Sequence, residues 1–327
     1  MDIVRFLGVL LVYGQRAFIY PGSIPGIGPP VETVEGWRLP YEALTLETPD
    51  KAQLKALLFV QKLECEDASP IRTAATTDDE FASRRPTFII FHGNAENYSH
   101  GIIFARVLYL RLRCNVILAE YRGYADCPGT PSESGIRIDS QTTLDFACHH
   151  PILSPTAKIL YGLSLGGGVA IELASRNPDL IHGLAVENTF LSLPKMLPVL
   201  MPSLSKLKFL VRDKWRSEVN ITKVPPTTPI LFLSGAQDEI VPPAHMKELY
   251  ELSKAEHPDA QRTFVLFEKG THNDTWQQPN YRKALRDFIG SIRSPASDPP
   301  LRSSSLPTKS QARKTVDASK PLPPKPI

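Results

Sequence analysis

The chain has 327 residues, of which 42% are hydrophobic and 22% charged, the composition of an ordinary globular protein. The formal net charge of +3 arises in residues 294–327, which hold six Lys/Arg and two Asp/Glu (6 − 2 = +4) and leave the remainder near −1. The body has no basic stripe with interleaved aromatic residues, so the sequence gives no support to a nucleic-acid partner.

The cysteines show neither a C-x-x-C pair nor metal-ligand spacing to histidine; they are Cys65, Cys114, Cys127 and Cys148. Four cysteines in a chain of this length do not form the disulfide framework of a small secreted domain. We expect free, mostly structural thiols, with a single bridge in a lumenal protein as the alternative. We also expect chemistry without a metal ion or a cofactor.

Residues 1–21 form an N-terminal apolar segment. Ile3–Tyr13 is apolar apart from Arg5, and a second patch follows at Ala17–Tyr20. A spanning helix needs about 20 apolar residues, roughly twice the uncharged length available here. The small-residue cleavage signature of a signal peptide is also missing. The alternatives are a short or truncated membrane anchor, an interfacial helix, or a segment packed on the body; we favour membrane association.

Three stretches divide the chain by composition. Residues 21–30 read PGSIPGIGPP, a linker after which the body begins, so the main domain is expected over residues 22–293. Glu64–Arg85 is polar without a hydrophobic period, which predicts a surface loop. Residues 294–327 hold eight prolines and few apolar residues, which predicts a disordered tail. Its end, PLPPKPI, favours polyproline II, so an SH3- or WW-type partner is the alternative to a plain disordered tail.

The body alternates between short apolar runs and helix-period segments. Continuous apolar runs flanked by turn residues predict strands buried on both faces, at Ala56–Gln61, Thr87–Phe91, Val116–Glu120, Ala157–Tyr161, Leu184–Glu187, Ile230–Ser234 and Thr263–Phe267. The clearest helical segments between and after them are Ile102–Leu112, Val169–Ala174, Ala244–Leu252 and Tyr281–Ile292. This alternation predicts an α/β fold with a mostly parallel sheet, whose ligands lie beyond the carboxyl ends of its strands.

The strand at Ala157–Tyr161 runs into G-x-S-x-G at Gly162–Gly166, and a helical segment follows. This motif places a serine on a sharp strand-to-helix turn, where glycines on both sides allow close chain approach. The plain alternative is a glycine-rich turn for helix packing. We interpret Ser164 as a nucleophile, and the Leu165 N–H at the positive end of the helix as a donor to an oxyanion.

A nucleophilic serine needs an adjacent base, and in this fold the chain order is Ser, then Asp or Glu, then His. Asp238 follows the strand Ile230–Ser234, and His272 follows the strand Thr263–Phe267. We therefore predict His272 as base and Asp238 as the acid that orients it. Glu239 and Asp274 are backup acids, although Asp274 fits better as a helix cap.

The strand Thr87–Phe91 ends in His92-Gly93-Asn94, followed by a helix start. A loop of this kind supplies the second oxyanion-hole N–H, which we assign to Asn94. His92 comes too early in the chain order to be the base, so we interpret it as a residue that shapes the loop.

Residues 191–224 lie between the sixth and seventh predicted strands and are rich in apolar residues broken by prolines. A cap over the active site is expected in this stretch, and its apolar surface would contact an acyl chain or a membrane. The alternative is an extra helix packed on the core.

Six motifs in this order resemble those of a known family: HGNAEN, EYRGY, GLSLGG, ENTF, SGAQDEIVPP and GTHND. Together they resemble the bud-emergence-type branch of the α/β-hydrolase-domain proteins, a branch related to palmitoyl-protein thioesterases. The resemblance implies an α/β-hydrolase fold, a Ser164–Asp238–His272 triad, a small cap and an N-terminal anchor at the endoplasmic reticulum or plasma membrane. The sequence departs from the family pattern in its short apolar N-terminus, in Glu96 where glycine is frequent, and in its proline-rich tail.

The sequence therefore predicts a membrane-associated serine hydrolase that cleaves a carboxylic ester or thioester of a lipid or acylated protein through an acyl-enzyme. If the N-terminus does not bind membranes, a cytoplasmic location follows. Two alternatives remain: a catalytically silent interaction protein of the same fold, and a serine peptidase.

Overall fold

The computed structural model describes residues 14–24, 30–31, 39–70, 73–292 and the backbone of 314–315. Its centre is one sheet in the order β8-β7-β6-β5-β3-β4-β2-β1. The strands are β1 Glu42–Glu47, β2 Gln53–Phe59, β3 Thr87–Phe91, β4 Asn115–Ala119, β5 Lys158–Leu163, β6 Gly183–Glu187, β7 Ile230–Gly235 and β8 Arg262–Phe267. The six strands β3–β8 are parallel, whereas β1 and β2 form an antiparallel pair that joins β4.

Helices cover both faces of the sheet. They are α1 at residues 14–19, α2 Asp78–Ser83, α3 Ile102–Arg111, α4 Glu133–His149, α5 Leu165–Arg176, α6 Leu193–Leu200, α7 Ser217–Asn220, α8 Pro243–Glu256 and α9 Tyr281–Ser291. Short 3-10 helices occupy Pro21–Ser23, Tyr98–Gly101, Pro202–Leu210, Ile221–Lys223 and Thr275–Gln277.

The central strands are buried on both faces, as their continuous apolar runs predict. Alternate residues of β3 enter two separate cores: Ile89 and Phe91 pack with α4, α5 and α8, whereas Phe88 and Ile90 pack with α3 and α9. The fold is therefore the predicted α/β-hydrolase architecture, with three layers and the carboxyl ends of β3, β5, β7 and β8 at one edge.

The structure adds elements that the hydrophobic pattern hides. Strand β1 is a half-exposed antiparallel strand, and α4 buries Asp139, Ser140 and Thr143 beside its apolar residues, which breaks the apolar period. Helix α2 lies inside Glu64–Arg85, so the expectation of a surface loop throughout that stretch is wrong. Thr77 caps this helix, because its side chain accepts the Glu80 N–H.

Within residues 191–224, where the sequence predicts a cap, α6, the helix Pro202–Leu210 and the chain up to α7 share a small apolar cluster of their own. We refer to this stretch as the cap; its role over the active site stays a prediction. The described start of the chain packs against it. Tyr20 is fully buried; its hydroxyl donates to Asp213 at 2.7 Å and accepts from Trp215 Nε1 at 3.1 Å. Residues 14–24 therefore pack on the body, whereas residues 1–13 of the predicted apolar segment lie outside the described residues.

The predicted linker at 21–30 is docked where it begins, because the Gly22 N–H donates to the Asn94 carbonyl at 3.1 Å; residues 25–29 lie outside the described residues. Most of the predicted tail, 294–327, lies outside them as well. The described exception is Lys314–Thr315, whose backbone pairs antiparallel with β1.

Candidate active site

Ser164 lies on the turn between β5 and α5, with φ 54° and ψ −116°. A positive φ is unfavourable for serine and costs about 1–3 kcal/mol, which the surrounding packing must supply. The flanking glycines make the turn feasible: a Cβ at Gly162 would clash with the Gly166 backbone, and one at Gly166 with the Phe91 carbonyl. The motif therefore forms the strained, tightly packed turn that the sequence predicts.

The Ser164 backbone is fixed by the end of β6. Its N–H donates to the Glu187 carbonyl at 3.0 Å, and its carbonyl accepts from Thr189 Oγ1 at 2.7 Å. The side chain is 8% exposed, at the carboxyl edge of the sheet. The serine is thus rigidly placed and still accessible from one side.

His272 and Asp238 form a buried pair at the same edge, after β8 and β7. The distance from His272 Nδ1 to Asp238 Oδ2 is 2.8 Å. The second oxygen, Asp238 Oδ1, accepts the N–H groups of Ile240 at 2.9 Å and Val241 at 2.8 Å. Asp238 therefore holds the imidazole by one nitrogen and leaves the other nitrogen for chemistry.

The backup acids do not touch the imidazole. Glu239 Oε2 accepts the backbone N–H of His272 at 3.2 Å. Asp274 Oδ1 accepts the Thr271 N–H at 2.7 Å, and this backbone hydrogen bond lowers the Asp274 pKa. Asp274 is the N-cap residue of the helix Thr275–Gln277, as predicted, and its carbonyl accepts the Gln277 N–H at 2.9 Å, but its side chain accepts none of that helix's N–H groups. The carboxylate orders the loop before His272 instead.

The two predicted oxyanion donors lie at the carboxyl ends of β5 and β3. Leu165 is the first residue of α5, and Asn94 is in the turn after β3. The Asn94 carbonyl accepts from Gly22 N at 3.1 Å and Tyr124 Oη at 3.0 Å, which fixes the turn. Glu96, where the family frequently has glycine, folds back so that Oε2 accepts the Gly93 N–H at 2.8 Å. The oxyanion role of Leu165 and Asn94 stays a prediction.

His92 shapes the loop, in agreement with the sequence interpretation. Its Nε2 lies 2.6 Å from Glu120 Oε1, and its Nδ1 lies 2.8 Å from the Gly93 carbonyl. Burial by itself would lower the pKa of this imidazole, but the Glu120 carboxylate outweighs burial and raises it. Both ring nitrogens are occupied, so His92 is a structural residue.

Sequence reasoning missed the role of Asn188, which has φ 44° and joins the acid loop to the histidine loop. Its Nδ2 donates to the carbonyls of Thr271 and His272, both at 3.0 Å. Its Oδ1 accepts the Gly235 N–H at 2.8 Å. These partners lie far from Asn188 along the chain. The sequence signal that could have pointed to Asn188 is its position in the ENTF motif, which by itself indicates no role for the residue.

Glu187 is a second missed residue. Its side chain is fully buried; Oε2 accepts from Tyr161 Oη at 2.7 Å and from Tyr281 Oη, whereas Oε1 has no hydrogen-bond partner among the described residues. Burial raises the pKa of this carboxyl to about 7, although the hydrogen bonds from Tyr281 and Tyr161, and to a smaller extent the nearby His272, oppose that rise. The site therefore includes an acid that titrates near neutrality.

Within the described residues, no hydrogen bond joins Ser164 Oγ to His272 Nε2. Such catalytic bonds are often long before substrate binds and shorten in the complex. The structure thus shows a direct hydrogen bond between Asp238 and His272. Ser164 lies at the same sheet edge, where hydrogen bonds of residues 187–189 hold both the serine turn and the histidine loop.

Comparison with known proteins agrees with this fold. A family model of the α/β-hydrolase fold matches residues 86–228. The esterase Pf2001 from Pyrococcus furiosus superposes with a TM-score of 0.61, covering 81% of this chain and 96% of its own at 17% identity. A resemblance at that identity shows the fold alone.

Two yeast relatives are closer in sequence. Protein bem46 of Schizosaccharomyces pombe is 39% identical over 295 residues, which cover 89% of this chain and 91% of that protein. A Saccharomyces cerevisiae protein named as a membrane protein, YNL320W, is 34% identical and covers 85% of this chain and 90% of its own. With such similarity along most of its length and with the hydrolase fold in place, the chain belongs to the bud-emergence-type branch of the α/β-hydrolase-domain protein family.

Proposed function

We propose that this hydrolase-fold protein is a serine hydrolase that cleaves a carboxylic ester or thioester through an acyl-enzyme. One observation carries the proposal: Ser164 occupies a strained turn at the same sheet edge as an imidazole that Asp238 holds by Nδ1 at 2.8 Å. Strain is retained at positions where function requires it. A glycine-rich packing turn has no need of serine at positive φ.

In the proposed reaction, His272 Nε2 takes the proton of Ser164 as Oγ attacks the substrate carbonyl. Asp238 keeps the proton of the neutral imidazole on Nδ1 and stabilises the imidazolium that forms. The N–H groups of Leu165 and Asn94 stabilise the oxyanion. His272 then protonates the leaving alcohol or thiol, and a water molecule activated by the same nitrogen hydrolyses the acyl-enzyme.

The proposed substrate carries an acyl chain that reaches the site beside the cap. Exposed apolar side chains on α1 and the cap include Phe18 at 51%, Leu200 at 59% and Phe209 at 73%. Gln15 Oε1 of α1 accepts the Arg212 N–H at 2.7 Å, which holds this helix on the cap. Large exposed apolar side chains on α1 and the cap favour contact with lipid.

We further propose that this apolar face, formed by α1 and the cap, rests on a membrane surface. Across the described part of the chain, every helix is too short or too polar to cross a bilayer. Leu200→Glu with Phe209→Glu should weaken co-sedimentation of the full chain with lipid vesicles. Unchanged co-sedimentation of this double variant would contradict the proposed face.

The first experiment is labelling by a fluorophosphonate, which reacts covalently with activated serines. Wild type should be labelled, whereas Ser164→Ala should not, and His272→Ala should be labelled far more slowly. The matched control is Ser175→Ala, which removes a serine hydroxyl at the other end of α5. The Ser175 hydroxyl donates to the Glu172 carbonyl and lies away from the site. A folded wild type that is not labelled would contradict the hydrolase proposal and favour an interaction protein.

A second assay compares esters, thioesters and amides of the same acyl chain. We expect turnover of the ester or thioester to exceed that of the amide by orders of magnitude, because an amine is a much poorer leaving group than an alcohol or a thiol. Preferential cleavage of the amide would replace the proposal with a serine peptidase.

A further inference from the structure

A cleft of about 410 Å³ lies at the opposite edge of the sheet from Ser164. Pro86 and Ala157 in its wall come directly before β3 and β5, and Arg113 comes two residues before β4. The last turn of α9 closes one side with Ile289 and Ile292. Because these parallel strands have their carboxyl ends at the candidate active site, the cleft lies at their amino ends, remote from the triad.

The cleft carries a concentration of positive charge. Its wall includes no acidic residue among the described residues but five arginines: Arg84, Arg85, Arg111, Arg113 and Arg286. Arg84 forms an ion pair with Glu80. In the described part of the chain, no carboxylate lies within ion-pair distance of the other four. Like charges that are close together and uncompensated attract an anion.

Arg113 is fixed within this wall. It is 4% exposed, and its guanidinium lies 4.9 Å from the centre of the Phe81 ring. Its Nη2 donates to the carbonyls of Lys62 at 2.7 Å and Leu63 at 3.0 Å. Its Nε and Nη1 have no hydrogen-bond partner among the described residues. A buried cation without a counterion is costly, so the fold retains here a charge that its own groups do not balance.

A purely structural role does not explain the charge. Arg85 does serve the backbone, because Nε donates to the Arg113 carbonyl at 2.7 Å and Nη2 to the Leu112 carbonyl at 3.2 Å. Nearby, however, the neutral side chain of Gln61 forms equivalent bonds, because its Nε2 donates to the carbonyls of Tyr109 and Cys114, both at 2.9 Å. Binding backbone carbonyls in this region therefore does not require a charged side chain. Burial, together with the adjacent Arg113, lowers the pKa of Arg85, so the surroundings of Arg85 disfavour its charged form.

We propose that this cleft binds a small molecule through a phosphate or pyrophosphate group. Guanidinium groups held in fixed positions suit phosphate oxygens, because each offers paired N–H donors as well as charge. The volume exceeds what the anion alone requires and falls within the range of small-molecule sites. The apolar wall formed by Ile289 and Ile292 would hold the remainder of the ligand. The site is independent of the hydrolase chemistry.

The test is calorimetric titration of the full chain with inorganic pyrophosphate at constant ionic strength. Wild type should bind with a defined stoichiometry of one. Arg286 is exposed and forms no side-chain hydrogen bond or ion pair within the described ranges, so Arg286→Glu should weaken binding by at least about tenfold. Arg85→Gln should weaken it by a similar factor while keeping part of the backbone hydrogen bonding.

The matched control is Arg282→Glu, one turn away on the same exposed face of α9 and outside the wall of the cleft. It changes the net charge equally and should weaken binding by less than about threefold. Absence of binding at millimolar pyrophosphate, or equal weakening by Arg282→Glu and Arg286→Glu, would overturn the proposed site.

A parallel arm separates a free phosphate compound from a lipid headgroup. Co-sedimentation with vesicles of phosphatidylcholine and phosphatidic acid, compared between wild type and Arg286→Glu, reports on the lipid source. If Arg286→Glu weakens pyrophosphate binding but leaves vesicle binding unchanged, the ligand is a soluble phosphate compound. If Arg286→Glu abolishes vesicle binding as well, the ligand is a lipid headgroup that is bound through the same phosphate chemistry.

Discussion

Two buried histidine–carboxylate pairs lie at the carboxyl edge of the sheet and invite comparison. His92 Nε2 is 2.6 Å from Glu120 after β3 and β4, and His272 Nδ1 is 2.8 Å from Asp238 after β8 and β7. Both imidazoles are at most 6% exposed. The pairs differ in the second nitrogen: that of His92 is bound to the Gly93 carbonyl, whereas that of His272 has no partner among the described residues. A carboxylate partner therefore does not by itself identify a catalytic base.

The carboxylates of the two pairs are held alike. Glu120 also accepts the N–H groups of Tyr98 at 3.0 Å and Tyr121 at 2.9 Å, just as Asp238 accepts two backbone N–H groups of its own loop. Similar support thus serves a structural crosslink in one loop and, under the proposed function, an oriented base in the other. The comparison teaches that the unoccupied nitrogen and its position relative to a nucleophile decide the role.

The largest effect should come from exchanging each histidine for glutamine. His272→Gln should lower kcat for an activated ester by about 10⁵-fold, because the side chain cannot accept the Ser164 proton. His92→Gln, the matched control, keeps a donor toward Glu120 and should lower kcat by less than about 100-fold. Steady-state kinetics on both variants measure the ratio. Equal losses would mean that the two pairs do not differ in role.

The next effect is on stability. His92→Ala removes the ring that neutralises the buried Glu120 carboxylate and should lower the free energy of unfolding by about 4 kcal/mol. His92→Gln should lower the free energy of unfolding clearly less, because glutamine retains a hydrogen-bond donor for the Glu120 carboxylate. Urea denaturation of the two variants and the wild type tests this. A loss that is the same for alanine and glutamine would show that packing, and not the pairing, stabilises the loop.

A third prediction concerns Glu187, the acid near His272 that forms no bond with it. The fold raises the pKa of Glu187 from its ordinary value of 4.5 to about 7. The protonated side chain therefore contributes fully to stability below about pH 4.5, and this contribution is lost as the pH rises through 7. Glu187→Gln cannot ionise. Its unfolding free energy relative to wild type should therefore rise by about 3 kcal/mol from about pH 4 to about pH 8.

The control for this pH series is Glu248→Gln, at an exposed carboxyl on α8, which should follow the wild type. Urea denaturation at several pH values gives the comparison. A constant difference between Glu187→Gln and wild type would show that the buried carboxyl does not titrate in this range.

The smallest predicted effect concerns the residue that places the base. Glycine adopts the positive φ of Asn188 without strain. Asn188→Gly therefore removes the side-chain bonds to Gly235, Thr271, His272 and Thr275 without straining the backbone. We expect kcat to fall by about 30-fold while KM stays within about threefold. The rate of fluorophosphonate labelling should fall in parallel. Unchanged labelling with reduced stability would indicate a purely structural residue.

The sequence predicted the central sheet well because its strands are buried on both faces and so appear as unbroken apolar runs. It missed β1, which is half exposed, and α4, whose buried face includes Asp139 and Thr143. Near the site, the order of serine, acid and histidine followed from the fold's connectivity, and the Asp238–His272 contact is confirmed. The catalytic roles of these residues remain predictions.

What the sequence could not supply were contacts between distant segments. Asn188 and His272 are 84 positions apart, and no local pattern relates an amide to the carbonyls it binds. The burial of Glu187 between Tyr161 and Tyr281 likewise depends on packing across three elements. The arginine cleft is another case, because its five arginines are spread over three separate stretches of chain.

The dihedral angles of Ser164 have an evolutionary consequence. At φ 54° the protein would be more stable with glycine than with serine by about 1 kcal/mol or more, so a Ser164→Gly substitution would be thermodynamically favourable. A lineage in which the hydroxyl had no role would gain stability by replacing serine with glycine. Under the proposed function, serine is therefore kept at this position for its hydroxyl, against the thermodynamic preference of its own backbone.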